Sequence, residues 1–494
     1  MIFSPAVLFS LSIAYLGMLF LLAHASEKGW LPLRWVRHPA VYTLALGVFI
    51  SSWGLYGVVQ FAADFGYNFL AFYMGLSGAF LVAPMFLQPV LRLAKTHQLH
   101  SLPDLLAFRF RSQGVGSIAT LAILVGVMPL LTAQMQTMAD LVYLLTGGHS
   151  SRSMGAFFSG VLICFTLFFG TRQRNTRGLS HDGLVIAIAV ESLIKLIAML
   201  AVVSYAYFGI LGGESGLGQW LTENPGALHQ LYQPLQGGYW HSLLLLFFFA
   251  AVVMPCMYQM AFTENREPRD LVTASWGVPL YFMLMAIGVP ILLWAGEALQ
   301  LNLPPSYYSL GIALHSESPW MTLILFVGTL AASSGILIVT TLALANMLLN
   351  HVLLPIRGLS TEDDLYQRTL RQQRLLIAFI PSAAFLISWL PALKPDSTEM
   401  SMLSFVATIQ LAPSLLALLF WPQATSAGVI SGLAAGILIW FITLVMPAFF
   451  MPELDASAWL GLEVSNQLAH WQAMGLIATL VNIALLLAVS LLSK

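Results

Sequence analysis

Apolar runs of about 20 residues, long enough to cross a bilayer core, recur from one end of the chain to the other. They are separated by short polar gaps. The pattern places about thirteen spans near 4–23, 40–63, 69–93, 114–145, 154–170, 183–211, 241–262, 271–298, 319–351, 373–392, 401–421, 427–449 and 470–491. Lipid offers backbone amides no partner, and nothing in the chain alternates like barrel strands, so every span is expected to be helical. No basic residue precedes the first run and no small-residue cleavage site follows it, which reads as a true first span.

Two runs contain breaks. Ile50-Ser51-Ser52-Trp53-Gly54 interrupts the second span, and Met254-Pro255-Cys256 interrupts the seventh. A proline inside a helix removes a hydrogen bond and clashes with the preceding turn, and a serine pair beside glycine loosens a helix. Transporters place their sites at such breaks, in matching positions of two repeats. Five spans separate the two breaks, as a five-plus-five inverted repeat requires. The solute site is therefore expected between Ser51, Ser52, Trp53 and Tyr56 on one side and Pro255, Met257, Tyr258 and Gln259 on the other. Gln134 and Gln136 of the fourth span lie alongside.

Composition and charge narrow the class. The 494 residues are 59% hydrophobic and 8% charged, against about 45–50% apolar and about 25% charged in soluble domains. The fold class expected is an all-α polytopic membrane protein in one continuous domain. A net charge of −1 without a basic face argues against nucleic acid. Cys164 and Cys256 both lie in apolar runs and offer no disulfide framework. Phosphate-loop, metalloprotease and serine-hydrolase signatures are absent, which argues against an enzyme. His97, His100 and His181 read as plain interfacial residues.

The basic residues gather on one side of the thirteen-span pattern. Only Arg152 and Lys394 fall on the other, and Lys195 lies within a span. The positive-inside bias then puts the N-terminus outside and Lys494 in the cytoplasm. Gly358 to Arg374 reads as a short cytoplasmic helix, acidic at its start and basic at its end.

Ionisable groups inside spans are costly and face a cavity or a partner. Glu191 and Lys195 are four apart on the sixth span, so they share a face and are placed to pair directly. Asp140 sits in the outer part of the fourth span. Ser333, Ser334, Thr340 and Thr341 line the ninth, as packing residues or ligands. Gly428, Gly432 and Gly436 repeat every four residues, a close-packing face. Glu191, Lys195, Asp140, Ser333 and Ser334 are the candidates for ion coupling. No cofactor or metal site is expected.

Certain segments resemble the sodium:solute symporter family. Ser101-Leu102-Pro103-Asp104-Leu105-Leu106-Ala107-Phe108-Arg109-Phe110 is similar to that family's loop after the third span. Gln410-Leu411-Ala412-Pro413, Leu419-Phe420-Trp421 and Ala424-Thr425 are similar to its eleventh span and the following turn. The resemblance implies a leucine-transporter-type fold with one extra N-terminal helix (4–23), a first repeat near 40–211, a second near 241–421 and two last helices over 427–491. A closer resemblance is to the transporter-like N-terminal half of CbrA-type sensor histidine kinases. It is carried by Arg37-His38-Pro39, Ser77-Gly78-Ala79-Phe80, Ala107-Phe108-Arg109-Phe110-Arg111-Ser112, Phe262-Thr263-Glu264-Asn265 and Ala274-Ser275-Trp276-Gly277. It implies uptake or sensing of an amino acid, histidine first, in a bacterial inner membrane. A cytoplasmic histidine-kinase domain or response-regulator pathway is the implied partner. Nothing after the thirteenth span offers a kinase core, so the chain is expected to be either the membrane half of a longer kinase or a stand-alone relative.

The symporter pattern for sodium is altered. Proline-type symporters carry Asp-x-Ser-Gly-Trp in the first broken helix, and this chain has Phe49-Ile50-Ser51-Ser52-Trp53. Aligned on Thr340-Thr341, the hydroxyl pair that ligates sodium becomes Leu330 and Ala331. A shifted alignment puts Ser333 and Ser334 there instead. The expectation is a coupling ion of H+, with Na+ as the alternative.

Overall fold

A computed structural model describes residues 3–148, 151–170, 181–232, 239–357, 365–389, 396–451 and 467–493. Among these residues the chain is helical and contains no strand. The main helices are α1 (Pro5–Glu27), α2 (Pro39–Ala45), α3 (Val58–Phe65), α4 (Leu70–Leu81), α5 (Leu87–His97), α6 (Leu102–Phe110), α7 (Gln113–Leu145), α8 (Ser151–Gly170) and α9 (Asp182–Tyr205). Further along come α10 (Trp240–Val253), α11 (Pro255–Tyr258), α12 (Pro268–Ala298), α13 (Pro319–Leu348), α14 (Leu365–Ser388), α15 (Ser397–Thr408), α16 (Ala412–Phe420), α17 (Ser426–Trp440) and α18 (Gln467–Leu492).

Among the described residues, eight helices are long and apolar enough to cross a membrane, and up to ten when each of two bent pairs is taken as one span. The bent pairs are the two interrupted runs. Pro39–Phe49 meets Trp53–Leu81 at 74°, and Trp240–Val253 meets Pro255–Thr263 at 50°. The expected third span is divided, because α4 stops at Leu81 and a turn carrying Pro84 precedes α5; proline has no amide with which to continue the ladder. The expected fifth and tenth spans correspond to α8 and α14, whose ends run into residues outside those described. The basic half of the expected cytoplasmic helix is the first part of α14, and residues 358–364 lie outside the described set.

Local chemistry sets the helix ends. Ser101, Asp396 and Thr425 each accept a backbone amide at the start of α6, α15 and α17, supplying a partner the first turn lacks. Proline at the first position of α11 starts the second half-helix where its missing amide costs nothing. The glycine repeat of α17 meets α18: a Cβ on Gly432 would lie 2.6 Å from the Asn482 carbonyl, and one on Gly428 2.7 Å from that of Leu486. Small residues permit this backbone approach where no hydrophobic effect drives association. On the other side, α1 lies along α9 so closely that a Cβ on Gly183 would be 2.7 Å from the Ala23 carbonyl.

Candidate functional site

The chain between α2 and α3 is non-α-helical. Leu46–Phe49 is a tight 3-10 turn, Ile50 leaves the helical region, and Trp53–Gly57 is a wide π turn. This frees polar backbone groups in the middle of the bundle, where each must find a partner. The partners are protein side chains. The amide oxygen of Gln134, from α7, accepts the Ser52 N–H at 3.0 Å and the Ser52 hydroxyl at 2.7 Å. The Lys195 ammonium, from α9, donates to the Ile50 carbonyl at 2.8 Å. The Ser51 hydroxyl accepts the Trp53 N–H at 3.3 Å. Ser51, Ser52, Gln134 and Lys195 are all buried.

The second break has extended backbone at Met254 (φ −73°, ψ 128°) followed by Pro255. Cys256 and Met257 are fully buried there, with Thr340 of α13 beside the thiol.

Glu191 and Lys195 do not form the direct pair that their spacing allows. Each has found something else. One Glu191 oxygen accepts the Ser334 hydroxyl at 2.6 Å and the Tyr15 hydroxyl at 2.9 Å. Its other oxygen has no hydrogen-bond partner.

Several expected residues point elsewhere. The Trp53 ring is enclosed by Phe72, Phe405, Phe61 and Phe247, at centroid distances of 4.6, 5.4, 6.0 and 6.2 Å. Tyr56 bonds to Thr329 at 2.5 Å. Tyr258 packs on Phe262 with its hydroxyl unpartnered. Gln136 is half-buried with its amide oxygen unpartnered, and the Ser333 hydroxyl is buried and unpartnered. Asp140 accepts the Tyr307 hydroxyl at 3.0 Å, and the Tyr307 ring lies 6.0 Å from that of Tyr56. Gln259 donates to Glu264 at 2.7 Å, five residues further along the chain.

That last contact belongs to a cluster the sequence did not reveal. Glu264 is buried and accepts the His181 backbone N–H at 2.6 Å, with the His181 ring nitrogen 3.0 Å from its other oxygen. His181 is thus not a plain interfacial residue: it joins the start of α9 to the end of the broken seventh span. Arg266 pairs with Asp182 at 2.5 Å and donates to the Val36 carbonyl at 2.9 Å. Thr263 donates to the His100 carbonyl at 2.8 Å, and the His100 N–H donates to Asp104, whose other oxygen lies 2.7 Å from the His351 ring. Burial pushes the Asp104 and Glu264 carboxyls up, but the histidines, with the Ser101 and Gln259 donors, hold both below their ordinary values. Partners 83 and 247 residues apart leave no periodic signal in a sequence.

The two prominent cavities lie away from the breaks. One of about 610 Å³ is apolar and runs between α10, α16 and α18. Another of about 790 Å³ lies between Arg109 and Arg111 and the start of α17. No group of three or more His, Cys, Asp or Glu among the described residues is arranged to hold a metal ion.

The architecture is an all-helical bundle with paired broken helices. It is shared with the solved substrate-bound, outward-open state of a Na+-coupled sialic acid symporter, at a TM-score of 0.68 and 13% identity over 98% of both chains. A manganese transporter of Eremococcus coleocola aligns at a TM-score of only 0.40 and 14% identity, over 92% of this chain and 86% of that one. No family model matches the chain. No curated protein matches it significantly.

Proposed function

We propose that this chain is a secondary transporter of the bacterial inner membrane, with its N-terminus outside and its C-terminus in the cytoplasm. It takes up a small polar solute, an amino acid with histidine as the first candidate, by alternating access in which one helix bundle rocks against another around the site at the broken helices. Coupling is to protons.

The observation that carries this reading is the Lys195 ammonium on the Ile50 carbonyl. A carbonyl freed by a helix break needs a cation or a donor, and here the chain supplies its own. A mobile sodium ion is then redundant at that carbonyl. Leu330 and Ala331 of α13 bring no side-chain oxygen to help ligate one. Glu191, one turn from Lys195 and buried, is the group that takes up and releases the proton.

The test is uptake of radiolabelled histidine into proteoliposomes under an imposed proton or sodium gradient. Accumulation driven by the proton gradient, and abolished in Lys195→Met, supports the reading. Accumulation only with sodium makes Ser333 and Ser334 the ion ligands and refutes proton coupling. Binding without accumulation under either gradient makes the chain a sensor that reports to a cytoplasmic partner.

A further inference from the structure

Glu191 is held from two directions by elements far apart in the chain. Ser334 of α13 donates to its Oε1 at 2.6 Å, and Tyr15 of α1 donates to the same oxygen at 2.9 Å. The two hydroxyls are themselves 3.3 Å apart. All three side chains are buried. A tyrosine hydroxyl is the only polar group that α1 brings here, between Ser12, bonded to its own helix, and the apolar Leu16 and Leu19.

The two oxygens of Glu191 differ. Oε1 receives both hydrogen bonds, while Oε2 has none and rests against the bare Cα of Gly335, where any Cβ would collide with it. A proton arriving on Oε2 forms its O–H bond without breaking either hydrogen bond to Oε1. The two hydroxyls fix the carboxyl in place through both protonation states, and Gly335 leaves room for the incoming proton. The titratable groups facing Glu191 are Tyr15 from α1 and Lys195 on its own helix. From α13 comes only a hydroxyl, and α12 sends the Tyr281 hydroxyl to the neighbouring Ser192 carbonyl.

We infer that α1 is a working part of the proton site, with Tyr15 as the residue that positions Glu191 and sets the pH at which it titrates. This rests on the reading of Glu191 as the coupling group. The helix ahead of the two repeats is therefore a wall of the site and not an accessory span.

The test uses the full chain in liposomes and N,N′-dicyclohexylcarbodiimide, which reacts with protonated carboxyls in apolar surroundings. Adduct formation at Glu191 is read by mass spectrometry as a function of pH in wild type, Tyr15→Phe, Leu19→Ala and Gly335→Ala. Loss of a donor to the carboxylate makes the charged form less favourable. Labelling in Tyr15→Phe is expected to persist to a pH about one unit higher, a tenfold change in proton affinity. Leu19→Ala loosens the same helix without touching the hydroxyl and is expected to leave the midpoint in place. Gly335→Ala is expected to reduce labelling at every pH by filling the space beside Oε2. An unchanged midpoint in Tyr15→Phe, an equal shift in Leu19→Ala, or no pH-dependent labelling of Glu191 in wild type overturns the inference. Proton-driven uptake that survives in Glu191→Gln, with the Tyr15→Phe shift intact, overturns the coupling reading alone.

Discussion

Ser52 and Gln134 show how a helix break is made affordable inside a bilayer. One amide oxygen satisfies both the backbone N–H and the hydroxyl of Ser52. Replacing Gln134 by leucine keeps the volume but leaves two buried donors with poor alternatives, and an unpaired buried donor costs about 1–3 kcal/mol. Gln134→Leu is therefore expected to lower the thermal midpoint of the purified protein, measured by intrinsic fluorescence, whereas Gln136→Leu, at a half-buried position whose amide oxygen bonds nothing, is expected to lower it less. The sequence marks Ser52 and Gln134 as polar intruders in apolar runs. It does not say that they meet, because spacing along one helix reports a shared face and nothing about which other helix covers it. The same limit explains Glu191 and Lys195. Their four-residue spacing is legible, but the competing partners Tyr15, Ser334 and Ile50 come from 176, 143 and 145 residues away.

Among elements, two contacts invite measurement. The α17–α18 interface depends on glycines whose Cβ positions are occupied by the facing helix. Gly432→Leu is expected to cost about 1–3 kcal/mol through overpacking, seen as a lower thermal midpoint, while the same change at Gly17, which has open space, is expected to be nearly neutral. This stripe was legible because its four-residue period needs no knowledge of the partner. Asp104 and Glu264 tie α6 to His351 and the seventh span to His181. Both carboxyls sit below their ordinary values once folded. Their contribution to stability is thus fully present above the ordinary carboxylate range, about pH 4–4.5. It is lost as pH falls through the lower folded values. The thermal midpoint is expected to fall as pH drops below about 4, and Asp104→Asn is expected to start lower and lose less over that interval. A reversed slope would contradict the pairing.

For the whole molecule, the closed contacts are distributed over both breaks. His181–Glu264 and Asp182–Arg266 lie just past the second break, and Tyr307–Asp140 beside Tyr56 of the first. Cys256, at the second break, is fully buried, and Cys164 is exposed. In a Cys164→Ser background, a water-soluble maleimide is expected to leave Cys256 unmodified in the resting protein and to label it when Glu264→Gln weakens the contacts to His181. Labelling at equal rates in both would mean that these contacts do not close the path. The all-helical membrane class and the two breaks were legible as hydropathy and as proline and serine in apolar runs. The turn that divides the third expected span was not, since Pro84 sits in a run apolar enough to read as continuous.

The cation at the first break is covalently part of the protein, and this has an electrical consequence. A mobile ion adds its charge to the loaded carrier and is missing from the empty one, so the membrane potential drives one leg of the cycle and not the other. Under the proposed mechanism the Lys195 ammonium travels on both legs. One elementary charge moved through the field is worth about 2.3 kcal/mol per 100 mV, and here that work is returned on the way back unless a proton has joined or left in between. For a net-neutral zwitterion, the expected steady current on a supported bilayer is therefore one proton's charge per solute. Glu191→Gln, with nothing to protonate, should leave only a transient that reverses when the solute is washed out.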